Sequence, residues 1–351
     1  MDHVQSSALV PLPDPEETLA TITSHLRAEH ELEFERAPDG DLIYEINEYH
    51  WRMGPRANGL AITLMASDES ALLFFKEQVV AHFQALNARA AAEIRWTGDA
   101  PAPDAPPPNF TTARVMRSIE VFAGMQRVTL ECDRPALAEG SGIHVRLLLP
   151  TETGAAPVWP GLAANGAIVR PEGPEALHDR WMTIRHLRRG GWEVDIDIVR
   201  HEGGRSSDWA VTAAPGAVAG LMGPAGLAEP PVHKGLFLAA DGTGLPAVAR
   251  YLEALPVDAD GDIAVALPEE ADAQSYFGET PLRIHRLPPE RFAQDIQGLA
   301  ERVCVPGKTG FAFFAGEFEN SQELRGLFKG GLGLGKGFQL STAYWRRGDA
   351  T

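Results

Sequence analysis

The segment Arg180-Trp181-Met182-Thr183-Ile184-Arg185 carries side chains that could hold a phosphorylated ligand. On a strand, alternate side chains share a face, so we expect Arg180 and Met182 to point one way and Thr183 and Arg185 the other. A guanidinium can bind a phosphate through two hydrogen bonds, and a hydroxyl can bond the edge of a heteroaromatic ring. Taken alone, the segment is also typical of a solvated strand with two surface arginines.

Two glycine-containing turns could receive phosphates at the start of a helix. The first, His201 to Ala210, follows the strand-like VDIDIVR, and its Ser-Ser-Asp cluster predicts a helix start with free amides. The second, Asp241 to Ala247, joins the apolar run GLFLAA to the helical pattern AVARYLEAL, the position at which open α/β sheets bind nucleotides. It is not a GxGxxG motif. Each segment also fits an ordinary capped or glycine-rich turn.

The C-terminal segment combines aromatic and basic residues in Tyr344-Trp345-Arg346-Arg347. The aromatic pair could stack on a flat cofactor ring, and the arginines could meet phosphates or an anionic chelate. The surrounding stretch, from Leu324 onward, holds five basic residues and one acidic residue, Asp349. The alternatives are a hydrophobic plug that docks the tail and a solubilising basic face.

Composition limits the function classes that are open to the chain. Its 351 residues suit two or three domains, and a net charge of -17 argues against nucleic acid as a partner. The two cysteines, Cys132 and Cys304, lie in unrelated segments and form neither a disulfide framework nor a CxxC pair, which favours a reduced cytoplasmic location. The start of the chain lacks the pattern of a signal peptide, and no long apolar run follows, so we expect no export and no membrane association.

The elements that must position these residues fall into three modules. Residues 1–100 predict a small α+β domain, in which the stretch LATITSHLRAEHELEFERAPDGDLIYEI is interpreted as strands and SDESALLFFKEQVVAHFQALNARA as a helix. A proline-rich linker is predicted at 101–112. Residues 113–229 alternate like the strands of an antiparallel β-barrel, and residues 230–351 repeat a strand-then-helix order that indicates a parallel α/β domain.

The order of these segments resembles the siderophore-interacting protein family from about Arg114 to Gly348. The resemblance rests on RVMRSIEVFAGMQRVTLECD, GIHVRLLLP, RWMTIR, VDIDIVRHEGGRSSDWA, APGAVAGLMGPAG, LAADGTGLPAVARYLEALP, FFAGE and AYWRRG. It implies an FAD-binding barrel joined to a ferredoxin-reductase-like domain for NAD(P)H. It also implies a cytoplasmic reductase that passes electrons from NAD(P)H through FAD to a ferric siderophore and so releases iron.

The resemblance also assigns site residues. Arg180 and Thr183 would hold FAD, with His201, Gly204 and Ser207 near its diphosphate, and Asp241 to Pro246 would receive NAD(P)H. The full set of predicted cofactor-binding residues is Arg180, Met182, Thr183, Arg185, His201, Gly204, Ser206, Ser207, Trp209, Asp241, Gly242, Thr243, Gly244, Pro246, Tyr344 and Trp345. Charge and location alone select the predicted siderophore-binding residues Lys329, Lys336, Arg346 and Arg347; no catalytic acid or base is assigned.

Two departures from the family pattern are visible. Met182 stands where the family usually has a tyrosine, which removes a phenol that normally packs against the flavin. The turn Asp241-Gly242-Thr243-Gly244 replaces the family's D-E-T-A and is closer to the G-T-G-x-x-P turn of ferredoxin reductases.

The first module also resembles a small domain of uncharacterised role that accompanies some members of the family. We assign it no chemistry. Its histidines, His25, His30, His50 and His82, lie on different predicted elements without metal-ligand spacing, so no metal is expected.

Two alternative functions stay open from the sequence. One is a reductase of the same build that acts on free flavin, a quinone or another protein's metal centre. The other is a non-catalytic siderophore-binding protein on a reductase scaffold, an alternative that Met182 keeps open because it could weaken flavin binding.

Overall fold

A computed structural model describes residues 3–30, 32–46, 49–99, 105–138, 140, 142–151 and 156–348. The strands, in chain order, are β1 (Val4–Val10), β2 (Glu35–Arg36), β3 (Leu42–Ile46), β4 (Tyr49–Arg56), β5 (Gly59–Ala66), β6 (Thr97–Gly98), β7 (Phe110–Phe122), β8 (Met125–Cys132), β9 (His144–Pro150), β10 (Gly161–Leu162), β11 (Ile168–Val169), β12 (Leu177–Arg188), β13 (Glu193–Val199), β14 (Val218–Ala225), β15 (Leu236–Ala240), β16 (Gly261–Ala266), β17 (Arg283–Leu287), β18 (Phe311–Glu317) and β19 (Gln339–Trp345). The helices are α1 (Pro15–His30), α2 (Glu69–Leu86), α3 (Ala88–Glu93), α4 (Arg205–Thr212), α5 (Leu245–Ala254), α6 (Ala273–Phe277), α7 (Pro289–Val303) and α8 (Phe318–Gly326), with a π-helical turn at Leu327–Gly331. Among the described residues, no helix combines the length and the apolar character needed to cross a membrane.

The chain divides into two compact units, residues 1–110 with 150–177, and residues 111–149 with 178–351. In the first unit, a sheet of order β2-β3-β4-β5-β1-β6 is covered by helices whose apolar side chains pack on strand residues such as Trp51 and Leu64. The carboxylate of Asp68 caps α2 by accepting the amide of Ala71 at 2.8 Å. The α+β architecture predicted for this part of the chain is therefore present.

One prediction for the first unit is wrong. The first part of the stretch interpreted as strands, from Leu19 to His30, forms most of α1, because Leu19, Ile22 and Leu26 recur at helical spacing and are all buried against the sheet. The part of the predicted linker at 101–104 lies outside the described residues, and β7 begins at Phe110, inside the range predicted as linker. The limits predicted for the domains stay predictions.

The segment 150–177 belongs to the first unit although it lies between β9 and β12 in the sequence. Its short hairpin, β10 and β11, is tied down by two hydrogen bonds of Asn165. The Asn165 carbonyl accepts the indole N–H of Trp96 at 2.8 Å, and the Asn165 amide donates to the carbonyl of Ala91 at 3.1 Å. Residues from within the barrel sequence thus complete the first unit; we call this the inserted segment.

The second unit contains both architectures predicted for it. Six antiparallel strands close a barrel in the order β12-β13-β8-β7-β14-β9, filled by alternating residues such as Val128, Leu147 and Ile196. A parallel sheet of order β17-β16-β15-β18-β19 follows, and every residue of its central strand β15 is buried. The ends of β15, β18 and β19 meet at one edge, where parallel sheets place their ligand sites.

A buried polar network joins the barrel to the parallel-sheet domain. The phenol of Tyr276 on α6 donates to the Asp197 carboxylate on β13 at 2.9 Å, and that carboxylate also accepts two bonds from Arg127 on β8, at 2.6 and 2.8 Å. The guanidinium of Arg185 on β12 donates to the Tyr276 carbonyl at 2.7 Å and pairs with Glu253 on α5. Because each buried charge has a partner, the network holds the two domains in one arrangement.

Candidate functional site

A cavity of about 590 Å³ lies in the second unit, where the barrel meets the carboxyl edge of the parallel sheet. Its walls come from β12, the end of β13, the start of α4, the turn after β15 and the end of β19. Eleven of the residues predicted from the sequence line it: Arg180, Met182, Thr183, His201, Gly204, Ser206, Ser207, Thr243, Tyr344, Trp345 and Arg346. Residues as far as 166 positions apart in the chain, Arg180 and Arg346, thus come together around one space.

The start of α4 presents free backbone amides to the cavity. Gly204 precedes the helix, and no side chain caps its first turn. A Cβ at Gly204 would lie 2.1 Å from Cε1 of His201, so only glycine lets the turn approach the imidazole this closely. The hydroxyl of Ser207 is used within the turn, where it accepts the His201 amide at 3.0 Å. The uncapped N–H groups and the helix dipole make this end suited to an anion.

The first residues of β12 place polar side chains beside that helix end. The Nε2 atom of His178 lies 2.8 Å from the hydroxyl of Ser206. Burial, together with the nearby guanidinium groups of Arg180 and Arg205, lowers the pKa of His178 to about 4. Arg180 is exposed, and its guanidinium donates to the carbonyl of Asp179 at 3.0 Å. Within the described part of the chain it makes no salt bridge, so its positive charge is available to a ligand.

Thr183 on the same strand is deeply buried, at 4% exposure. Its hydroxyl lies 3.3 Å from Nδ1 of His144 on β9, and the Nε2 atom of the same imidazole lies 3.2 Å from the phenol of Tyr344 on β19. Burial lowers the pKa of His144 to about 4 and raises the pKa of Tyr344. Both rings are therefore neutral at physiological pH, and the cavity wall at this point consists of uncharged hydrogen-bonding groups.

The turn after β15 is organised around Asp241. Its carboxylate accepts the amide of Thr243 at 2.8 Å and the hydroxyl of Thr243 at 2.6 Å, and the second oxygen accepts the indole N–H of Trp345 at 2.7 Å. Gly316 makes room for this group, since a Cβ there would lie 2.6 Å from the carboxylate. Burial raises the pKa of Asp241, while these hydrogen bonds favour its charged form. The turn thus faces the cavity through Thr243 and is fixed from behind by Asp241.

Besides Asp241, five predicted cofactor-binding residues support the cavity or lie away from it. Arg185 belongs to the buried network between the domains, because a bulge between Ile184 and His186 interrupts the alternation of β12. Trp209 packs on the barrel core. Gly244 lies against the carbonyl of Ala315, where a Cβ would approach to 2.6 Å, and Gly242 and Pro246 complete the same turn and helix start.

The predicted basic surface is only partly assembled. Arg346 lines the cavity, and its guanidinium lies 3.7 Å from the ring centre of Phe318. The backbone amide of Arg347 donates to the Glu317 carboxylate at 3.2 Å. Lys329 and Lys336 do not line the cavity, because they precede β19 and so lie toward the opposite, amino edge of the sheet.

Several cavity residues carried no signal strong enough for us to select them from the sequence: His144, His178, Trp181, Arg205 and Thr342. His178 could have been found, since it lies two positions before Arg180 on the same face of one strand. Arg205 lies within the glycine-containing turn that was selected. His144 had no such signal, because it lies on a strand whose pattern predicts only a barrel wall.

The donor set of the cavity fits a flavin dinucleotide. The uncapped amides and the Arg180 guanidinium suit phosphates. Apolar or aromatic contacts come from Met182, Ile198 and Tyr344, and Gly204 leaves space that a side chain would fill. Of the residues described, no three histidine, cysteine, aspartate or glutamate side chains are grouped to hold a metal ion. His30, one of the four histidines weighed from the sequence, lies outside the described side chains.

Comparison with known proteins agrees with this geometry. Residues 114–228 match the family model described as the siderophore-interacting FAD-binding domain, and residues 233–348 match the model described as siderophore-interacting protein. The NADPH-dependent ferric-chelate reductase of Escherichia coli is 33% identical over 217 residues, which are 59% of this chain and 82% of that protein. The chain spans 65% of the length of uncharacterised mycobacterial relatives that are 35% identical to it.

Solved structures share the fold. The siderophore-interacting protein SipS of Aeromonas hydrophila aligns with a TM-score of 0.56 at 24% identity and covers 69% of this chain and 93% of its own. The ferredoxin reductase of a carbazole 1,9a-dioxygenase aligns with a TM-score of 0.50 at 16% identity, covering 67% of each chain. The ferredoxin-reductase-like fold predicted from the sequence is confirmed.

Proposed function

Because the chain belongs to the siderophore-interacting protein family, we propose that it is an FAD-dependent reductase that passes electrons from NAD(P)H to a ferric siderophore. Reduction would take place in the cytoplasm and release the iron, because Fe(II) is held less tightly than Fe(III) by oxygen chelators. The name of the Escherichia coli relative, a ferric-chelate reductase, supports this class of substrate.

The observation that carries the proposal is the cavity itself, which joins a phosphate-type site to an aromatic one. Arg180 and the start of α4 would hold the diphosphate, while Met182, Thr183 and Tyr344 would contact the ring system. FAD, when bound, supplies the redox chemistry, since it can accept a hydride and give up single electrons. The residues of the chain bind and orient it, and the neutral His144 and Tyr344 keep the wall free of competing charge.

The turn at Asp241 to Pro246 is the proposed site for NAD(P)H. It lies at the carboxyl end of β15 and at the start of α5, where no side chain caps the helix. Trp345 and Thr243 border both this turn and the cavity, so a nicotinamide bound here would lie beside the flavin site. The anionic ferric complex would meet the other positive groups at the cavity, Arg205 and Arg346.

The two alternatives make different demands. A flavoreductase that acts on free flavin, a quinone or another metal centre would need the same FAD and NAD(P)H sites and would differ only in its substrate preference. A non-catalytic siderophore-binding protein would not need flavin, and Met182 in place of the family's tyrosine is the feature that favours it.

The test is a spectroscopic titration of the purified protein with FAD, then anaerobic NADPH or NADH, then a ferric catecholate or a quinone. We expect flavin absorbance that bleaches with nucleotide and returns with the ferric complex. Absence of flavin binding would refute the reductase, and recovery of the flavin absorbance with the quinone alone would favour the other flavoreductase.

Arg180→Ala should weaken FAD binding about tenfold or more, since it removes a charged hydrogen-bond donor. Arg189→Ala, which removes an exposed arginine paired only loosely with Glu131, is the matched control.

A further inference from the structure

His144 contacts both the barrel strand β12 and the C-terminal strand β19 at the cavity wall, where the hydroxyls of Thr183 and Tyr344 also interact directly. Its Nδ1 atom lies 3.3 Å from the Thr183 hydroxyl and its Nε2 atom 3.2 Å from the Tyr344 phenol. The imidazole and the phenol ring meet edge to face, with centres 5.7 Å apart and planes at 86°. A single ring thus contacts two residues that are proposed to line the flavin site.

The ring has little freedom to move. Gly226 approaches it so closely that a Cβ there would lie 2.5 Å from Cδ2 of His144. The backbone at Gly226 has φ of +84°, a conformation that glycine adopts readily. The imidazole is therefore held from one side by backbone and from the other two by hydrogen-bonding partners.

The neutral state of the ring makes these two bonds interdependent. A neutral imidazole has one N–H and one lone pair, so one ring nitrogen donates and the other accepts. If Nδ1 donates to Thr183, the phenol of Tyr344 must donate to Nε2; in the other tautomer both directions reverse. The partner that accepts from the ring keeps its own O–H proton free to donate elsewhere, including into the cavity.

We propose that His144 is a positioning residue that couples the hydroxyl of Thr183 to the C-terminal tail through Tyr344. The direction in which Thr183 offers its proton to a bound flavin then depends on the position of the tail. This inference rests on the proposed function for its flavin readout, but the coupling itself is a property of the unliganded chain.

The coupling can be measured with a double-mutant cycle. Thr183→Val and Tyr344→Phe each remove one hydroxyl and keep the shape of the side chain. We expect their combined effect on the FAD dissociation constant to depart from the product of the single effects by about fivefold. In a His144→Phe background the departure should be clearly smaller, because only the direct contact between the two hydroxyls is left. A cycle that is multiplicative with His144 present, or equally coupled without it because the two hydroxyls interact directly, would overturn the proposal.

Two conservative variants keep the test decisive if His144→Phe fails to fold. An Asn side chain places its amide near the Nδ1 position of the histidine, and a Gln side chain places its amide near the Nε2 position. In the His144→Asn protein, Thr183→Val should therefore still change the FAD dissociation constant, whereas Tyr344→Phe should not. In the His144→Gln protein the two effects should be exchanged. The same cycle on the urea midpoint of the protein without FAD distinguishes the two failures. Coupling in the urea midpoint without flavin binding would refute the reductase and leave the role of His144 intact. If Thr183→Val and Tyr344→Phe instead shift the midpoint equally in His144→Asn and in His144→Gln, the role of His144 is refuted.

Discussion

The indole nitrogen of Trp345 donates a hydrogen bond to the carboxylate of Asp241 at 2.7 Å. Asp241 directly follows the central strand of the parallel sheet, and Trp345 ends the last strand, more than a hundred residues later. Because the same carboxylate also orders Thr243, the C-terminal tail and the proposed nucleotide turn are held by one acceptor. A change that removes the Trp345 indole N–H should therefore alter the conformation of the Asp241 turn.

Trp345→Phe tests this relationship, since it removes the N–H donor and keeps an aromatic ring. We expect a loss of about 1 kcal/mol in the free energy of unfolding, the usual net worth of such a bond, measured by urea denaturation. NADPH affinity should also fall, because the Asp241 turn loses one of its supports. Trp192→Phe is the control: Trp192 is 44% exposed, compared with 38% for Trp345, and should have little effect. Equal losses in both variants would show that ring size matters and the hydrogen bond does not.

Gly204→Ala tests the close approach of the α4 turn to His201. The added Cβ would lie 2.1 Å from the imidazole, so the turn or the ring must move. We expect FAD affinity to fall at least tenfold, with a destabilisation of about 1–3 kcal/mol from the steric conflict. Gly298→Ala, on α7, would meet its nearest atom at 3.4 Å and should be neutral or slightly stabilising. Unchanged FAD titrations in Gly204→Ala would remove this turn from the proposed diphosphate site.

Tyr276→Phe and Tyr251→Phe form a matched pair on the same core. The Tyr276 phenol donates to Asp197, whereas the Tyr251 phenol is buried without a hydrogen-bond partner in the described structure. Removing the first hydroxyl should destabilise the second unit by about 1–2 kcal/mol, and removing the second should be neutral or stabilising. Chemical denaturation monitors both. If the two variants behaved alike, the polar network between barrel and sheet would contribute nothing to stability.

Asp41→Asn tests the electrostatics of the first unit. Hydrogen bonds from Arg56 and Arg52 lower the pKa of Asp41 to about 2 against the opposing effect of burial. Because the folded-state pKa lies below the unfolded value of about 4, its contribution is complete above about pH 4 and is lost as the pH falls toward 2. The contribution is at most about 2 kcal/mol, since both arginines are nearly half exposed to solvent.

The measurement for Asp41 is the free energy of unfolding of the first unit's transition between pH 2 and 7. Wild type should lose stability below pH 4, and Asp41→Asn should start lower and show a flatter profile. Asp39→Asn, which alters an exposed carboxylate of the same cluster, should follow the wild-type curve closely. A steep acid loss that persists in Asp41→Asn would assign the pH dependence to another group.

Sequence patterns predicted the architecture well where the period of the apolar residues was regular. The barrel strands alternate and the sheet strands are continuous apolar runs, so both were recognised. Leu19, Ile22 and Leu26 have helical spacing too, but the β-branched residues between them favoured strands, and burial against the sheet decided for the helix. Pairing of Asn165 with Trp96 depends on contacts between distant segments and had no local signal.

The candidate site was predictable to the extent that its residues occur in local motifs. Arg180 and Thr183 lie in a short motif that predicts the two faces of a strand, and Gly204 lies in one that predicts a helix start. His144 lies 39 residues before Thr183, and only the closure of the barrel brings the two together. Lys329 and Lys336 were selected by charge, and charge does not report on which edge of a sheet a loop lies.

The inserted segment limits how the protein can be divided into fragments that keep their tertiary contacts. A fragment that stops at Phe110 would lack the carbonyl that satisfies the Trp96 indole and the amide that bonds Ala91. A fragment that starts at Thr111 would still carry residues 150–177, now separated from the unit to which they belong. Part of the tertiary structure of the small N-terminal module is thus encoded within the barrel sequence, and truncation of the gene at the linker would leave both products incomplete.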